Sequence, residues 1–217
     1  MRSLIVSVLC VFSLVFAQDT SLAKVKMAFD AANLPTDEHL IFDPTALFEV
    51  TFPETNLGAG TPPVHLHAAI HLNRNQTAIP PSFSLSLPFS PSLVEKTFVI
   101  AAVDPDAPTP QDPTNAQIRH FLGGDFRLSL FGSGLVFKNS TPAVTEFHQP
   151  TPPAGSDPHR YTFLLFTQPP SIRTFNTEVA HLVNSSTSIS NFNISQCVRG
   201  GGRAREPAWR DVHARRA

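Results

Sequence analysis

The apolar positions change period along the chain, and each change marks an element. Leu22, Val25, Phe29 and Ala32 recur every three or four residues behind Thr20 or Ser21 as cap, which predicts one amphipathic helix, ended by Asn33-Leu34-Pro35. From Leu40 the spacing drops to two. Leu47–Phe52, closed by Pro53, and Val64–Leu72 read as strands, and from Pro80 to Pro88 the residues Phe83, Leu85 and Leu87 alternate with serines, a strand with one wet face before a turn over Pro88–Pro91. Phe98–Val103 is apolar at every position, as in a buried strand. Ile118–Phe131 follows, with Gly123-Gly124 admitting a bulge or a close backbone approach. After the short Leu135–Phe137 comes a proline-heavy connection, Pro142–Pro158, of a length that in compact domains is usually functional or unstructured. Thr162–Phe166 reads as a second buried strand and Asn176–Asn184 as a short helix. No repeat or heptad interrupts this β-rich pattern.

The two ends differ from the body. Arg2 precedes an apolar run, Leu4–Phe16, that is shorter than the roughly 20 residues of a membrane span and ends at Val15-Phe16-Ala17, so residues 1–17 are expected to be a signal peptide cleaved after Ala17 in a secreted protein. Asn75, Asn139, Asn184 and Asn193 each begin an Asn-X-Ser/Thr sequon, expected on surface loops as N-glycosylation acceptors. Cys10 would leave with the signal, so Cys197 has no intrachain partner. Residues 18–197 are expected to form a single domain that stands on its core. Eighteen Phe and 21 Pro against one Trp and one Tyr give it short apolar runs with many breakers. Nine Lys and Arg oppose fifteen Asp and Glu over 18–197, a net charge of −6, which argues against nucleic-acid binding; membrane contact is expected to be peripheral at most. Residues 198–217 carry the opposite sign; this Arg/Gly-rich tail is expected to lack fixed structure, with a basic arm for anionic surfaces as the alternative.

One polar constellation stands out. Asp104 and Asp106 close the Phe98–Val103 strand within a backbone stiffened by prolines at 105, 108, 110 and 113, so the carboxylates are pre-positioned. His120 returns on the next apolar run, and His159-Arg160-Tyr161 opens the Thr162 strand. Taken singly, such residues cap a proline turn or pack at a strand end; together they form the one polar constellation in the sequence with any specificity. Asp104 should favour the charged form of a neighbouring histidine against the effect of burial. His65, His67 and His71 would share a strand face; a His-X-His pair there could chelate a transition metal, but the more frequent outcome is a solvated face, and no metal or cofactor is expected. Asp-X-Asp with two histidines could hold a hydrolytic metal, yet Pro105 splays the pair. Gly132-Ser133-Gly134 and Gly155-Ser156-Asp157 lack a nucleophile's frame, so no enzyme is expected.

Asp104-Pro-Asp-Ala-Pro108, then Pro113 and His120-Phe-Leu, then Pro152-Pro153 and His159-Arg160-Tyr161, resemble the two signature blocks of the phosphatidylethanolamine-binding proteins, and the opening helix and sequons resemble the secreted fungal branch. The resemblance implies a mainly β fold, a large antiparallel sheet packed on a smaller sheet in a sandwich with a few short peripheral helices. It implies a non-enzymatic binding protein whose pocket for phosphate-type headgroups is lined by Asp104, His120, His159 and Tyr161, walled by Pro108, Pro152 and Pro153, and supported by Asp106 and Arg160. It also implies a cis Ala107–Pro108 bond. The implied partner is a phospholipid headgroup or other small anion; the alternative is inhibition of a serine carboxypeptidase by protein contact, although Gln18–Leu34 carries no mark of the N-terminal inhibitory segment such relatives use. Gln117-Ile118 stands where the family has Glu-Trp, Thr109-Pro110 where it has Ser-Arg, and the family's final strand and helix are not expected after Gln196.

Overall fold

The computed structural model describes residues 20–53, 63–86, 91–131, 134–198 and, as backbone strand, 212–216. The expected signal peptide, residues 88–90 of the expected turn, Gly132-Ser133 and tail residues 199–211 lie outside the described residues. Helix α1 (Leu22–Ala31) starts where Ser21, in extended geometry, accepts a hydrogen bond from Lys24 N, and it buries Val25 and Phe29. Asn33 then turns the chain with a left-handed φ of 55°. Leu34-Pro35 do not only end that helix. They begin a second one, α2 (Leu34–Asp37), because proline in a first turn gives up an N–H that has no helical partner anyway.

Eight strands follow: β1 (Phe48–Phe52), β2 (Val64–His65), β3 (Ser82–Leu85), β4 (Thr97–Asp104), β5 (Ile118–Phe131), β6 (Gly134–Asn139), β7 (Thr162–Gln168) and β8 (Val212–Arg216). Helices α3 (Phe175–Val179) and α4 (Ile194–Val198) complete the order, α4 running across Gln196. All eight described strands belong to one antiparallel sheet, in the order β2-β1-β3-β6-β5-β4-β7-β8, and the expected second sheet is not seen among the described residues. The interior that two sheets would enclose is made by one sheet curling. Four strands separate β1 from β7 in the ladder, yet the rings of Phe52 and Phe163 meet edge to face with centroids 6.1 Å apart.

Two other expectations are corrected. The strand read over Val64–Leu72 stops at His65, where the chain turns through Ala69 at φ 66°, so His65, His67 and His71 do not share a strand face. Val212–Arg216, expected to be part of a structureless tail, pair with β7 from Thr162↔Arg216 to Phe166↔Val212.

Strand β4 is buried on both sides, which is why its sequence shows no alternation. Val99, Ala101 and Val103 face the helices, packing with Val25, Phe29, Leu34, Phe175 and Ile194. Phe98, Ile100 and Ala102 face the curl, among Phe48, Phe52, Phe83, Phe126, Phe137 and Phe163. Much of the chain's phenylalanine is spent on that second core.

Strand β5 bulges twice against β4. Between Phe98↔Phe126 and Ile100↔Gly123, Gly124 and Asp125 oppose Val99 alone. Gly124 has no room for a side chain, since a Cβ there would collide with Cβ and Cγ of Phe175. Asp125, at φ 58°, accepts hydrogen bonds from Phe175 N, Gln168 Nε2 and the Thr141 hydroxyl, which ties α3 to the bulge. The second bulge lies between Ala102↔Phe121 and Val103↔Arg119, where His120 is the extra residue.

Candidate functional site

Strand β4 delivers Asp104 to a buried corner where both carboxylate oxygens are occupied. Oδ1 accepts from Asp106 N at 2.7 Å, and Oδ2 pairs with His159 Nδ1 at 2.8 Å. Burial pushes the Asp104 carboxyl upward, opposed by His159 and the Asp106 amide. Asp106 looks away from this corner. Its carboxylate takes Arg160 N at 2.6 Å and the Arg160 guanidinium through Nε and Nη2, while Nη1 reaches Asp37 at 2.7 Å and the Ala32 carbonyl. Arg160 thus fastens the proline turn to the α1–α2 junction, and the fork geometry of a guanidinium suits three simultaneous anchors. Glu38 lies buried nearby, its carboxyl raised to about 8 by desolvation.

His120 reaches the corner through its bulge. An extra residue in one strand re-aims a side chain, and here it leaves Arg119 to occupy the helix side, bonded to the Thr145 hydroxyl and lying over the Phe192 ring. His120 Nδ1 lies 2.8 Å from the His148 carbonyl and so donates to it, which leaves Nε2 as the edge available to a ligand. Asp104 favours the charged form of His120 as expected, but loss of hydration is the larger effect, and His120 lies below the ordinary histidine value. Tyr161 stands between the imidazoles, edge-on to His120 at 5.2 Å and stacked on His159 at 6.2 Å. Burial, reinforced by Asp104 and Asp106, holds its phenol proton more firmly than usual.

These side chains border two cavities rather than one. The smaller, about 430 Å³, is lined by Asp104, Pro108, His120, Pro153, His159 and Tyr161. Ala107–Pro108 at its edge is cis. Ile118 lies on its wall, while the neighbouring Gln117 faces inward, accepting from Ile194 N and donating to the Asp37 carbonyl. Pro152 belongs to the larger cavity, about 690 Å³, which meets the first across His159 and Tyr161. Asn115, His148 and Thr151 also line the smaller one and were not singled out from sequence. Ser156 was set aside for lack of a nucleophile's frame, but its Oγ lies 3.0 Å from His159 Nε2. A Ser-X-X-His spacing was its one sequence signal. Among the described residues no cluster of three His, Cys, Asp or Glu could hold a metal. Asn75, Asn139, Asn184 and Asn193 are all exposed.

The sequence model of the family described as "Phosphatidylethanolamine-binding protein" matches residues 58–199, about two thirds of the chain, and the protein belongs to that family. A curated relative, the carboxypeptidase Y inhibitor of Saccharomyces cerevisiae, is 33% identical over 87 residues, 35% of this chain and 39% of that protein. The match therefore spans about two fifths of the relative's length. Among solved structures, carboxypeptidase Y inhibitor complexed with its cognate proteinase superposes with a TM-score of 0.64 at 22% identity, covering 92% of this chain and 96% of that one. A phosphatidylethanolamine-binding protein from Plasmodium vivax superposes at 0.58 with 14% identity, covering 88% and 94%. At these identities the superpositions speak for the fold, a mainly β, curled antiparallel sheet with few short helices.

Proposed function

We propose that this chain is a secreted binding protein whose smaller cavity takes a phosphate-type headgroup or a comparable small anion without transforming it. The observation that carries this reading is the convergence of Asp104, His120, His159 and Tyr161, from three separate strand ends, on one cavity of about 430 Å³. A bare buried carboxylate would repel an anion. Asp104 is not bare, since His159 and the Asp106 amide take both its oxygens, so the charge of the site is set by His120. Neutral, His120 offers an acceptor at Nε2; protonated, it offers a charge-assisted donor, the stronger kind of anion contact. Asn115 and Thr151 add amide and hydroxyl donors. Both nitrogens of His159 are already engaged, so its part is to occupy an oxygen of Asp104 and keep Tyr161 in place rather than to grip the ligand.

Calorimetric titration with phosphoethanolamine tests this reading. His120→Ala, which removes the charge-assisted donor, and His159→Ala, which leaves Asp104 bare to repel the anion, should each bind at least about tenfold more weakly than native protein, a change of ~1.4 kcal/mol. Equal binding by all three proteins would reject the pocket. The second reading, inhibition of a serine carboxypeptidase, is favoured by the relatives of that description.

A further inference from the structure

His159 stands in the wall between the two cavities, and its two nitrogens serve different ones. Asp104, bonded to Nδ1 at 2.8 Å, lines the smaller cavity, whereas Ser156, 3.0 Å from Nε2, lines the larger. Carboxylate, imidazole and hydroxyl therefore form one continuous chain that ends on an oxygen at the larger cavity. Asp104 and His159 are 2% and 8% exposed, so the first two members are held rigidly, while Ser156 is only half-buried and open to a ligand. A hydroxyl becomes a nucleophile in this arrangement, with a base in hydrogen-bond reach and a third group that orients the base and balances the imidazolium. The hydroxyl has a second acceptor, Asp157 O at 2.9 Å. Rotation about Cβ–Oγ carries the proton from that carbonyl to Nε2 without moving a heavy atom.

We propose that the larger cavity is a reactive site at which Ser156 accepts the acyl group of a carboxylic ester, with His159 as general base and Asp104 as the carboxylate that positions it. The lining names the substrate class. Phe52, Ile70, Leu72 and Phe163 offer an apolar bed of about 690 Å³ in total for the acyl chain, and Arg74 on the same wall supplies positive charge for the oxyanion. In the first step Oγ bonds to the carbonyl carbon, its proton passes to His159 Nε2, and the carbonyl π electrons move onto oxygen. Collapse restores the carbonyl and breaks the bond to the alcohol, which leaves with the proton from Nε2. Water then attacks the acyl carbon through the same base, releasing the carboxylic acid and the Ser156 hydroxyl. No metal, oxidant or reductant enters the balance. The activity is separate from anion binding, which uses the smaller cavity and makes no demand on Ser156.

The test uses the secreted, full-length chain, a fluorophosphonate probe and p-nitrophenyl butyrate. One adduct is expected, on the peptide containing Ser156, and ester turnover should fall about a hundredfold or more in Ser156→Ala. Absence of the adduct, or equal turnover in native and Ser156→Ala protein, overturns the proposal. If circular dichroism shows that Ser156→Ala has lost its fold, Ser156→Cys decides. Its iodoacetamide reactivity should titrate below the ~8.5 of a free cysteine because an imidazole and carboxylate stand behind it; a thiol titrating at or above that value overturns the proposal equally.

Discussion

His120 and Glu38 are both buried, and they respond to pH with effects that can be told apart. His120 donates at Nδ1 and is held below the usual histidine value, chiefly by desolvation. An anion binds best to its protonated form, so affinity is present below that pKa and lost as pH rises through it. Sulfate is the right probe because its charge is constant over this range. Its affinity should decline with a midpoint below 6.5, and His120→Gln should flatten the profile; a decline centred above 6.5 in native protein would sink the assignment. Glu38 acts on stability instead. Its folded pKa of about 8 lies above its ordinary 4.5, so between those values the native state keeps a proton that the unfolded chain has released. Stability from this group is complete at the acid end and drains away as pH rises. Glu38→Gln should therefore stabilise the protein at pH 8 by roughly 1–3 kcal/mol and do little at pH 4.5, as read by urea unfolding at the two pH values. The reverse order would show that Glu38 is ionised in the fold.

Strand β5 shows what one element can contribute beyond its own residues. Its two bulges perform different work: one re-aims His120, the other brings Gly124 against Phe175 so that α3 lies on the sheet. The glycine pair was legible in the sequence as a place for a bulge, because a strand interior without side chains invites a close approach. The bulge at His120 was not legible. Ile118–Leu122 reads as a regular apolar run, and only the ladder to β4 reveals the extra residue. The same reasoning explains Val64–Leu72, where local alternation suggested a strand but pairing with β1 ends at His65 and one further bond, from Leu66 N to the Val50 carbonyl. Gly124→Ala is expected to cost about 1–3 kcal/mol, or more, by overpacking against Phe175. Thermal melting checks it: the variant should melt at a lower temperature than native protein, and no loss would deny the contact.

At the level of the whole molecule, a single sheet curls until its first and seventh strands touch, and that closure stacks one core inside the curl and another under the helices. The anion corner lies where β4, β5 and β7 end, outside both cores, so it can be altered without emptying either. That separation makes the protein-target reading testable on its own. If the chain inhibits a serine carboxypeptidase, purified protein should slow carboxypeptidase Y on a peptide substrate in a dose-dependent way, and Asp104→Ala should show whether the corner takes part. An unchanged rate at every dose would leave anion binding as the surviving reading.

Local physics in the chain determined a good deal of this protein. Period-three and period-two spacing marked α1 and most strands, the unbroken apolar run of β4 declared a strand covered on both sides, and proline at 105 and 108 stiffened the backbone beside Asp104. Those features depend on neighbours a few residues away, so they can be read in order. Whether strands form one sheet or two, which residue of β5 becomes the extra one, and that Ser156 and Asp104 reach opposite nitrogens of one imidazole were decided by the tertiary structure. They depend on contacts between segments separated by tens of residues, whose register is set by the closing of the curl and the filling of its two cores, and no single stretch of sequence carries that information.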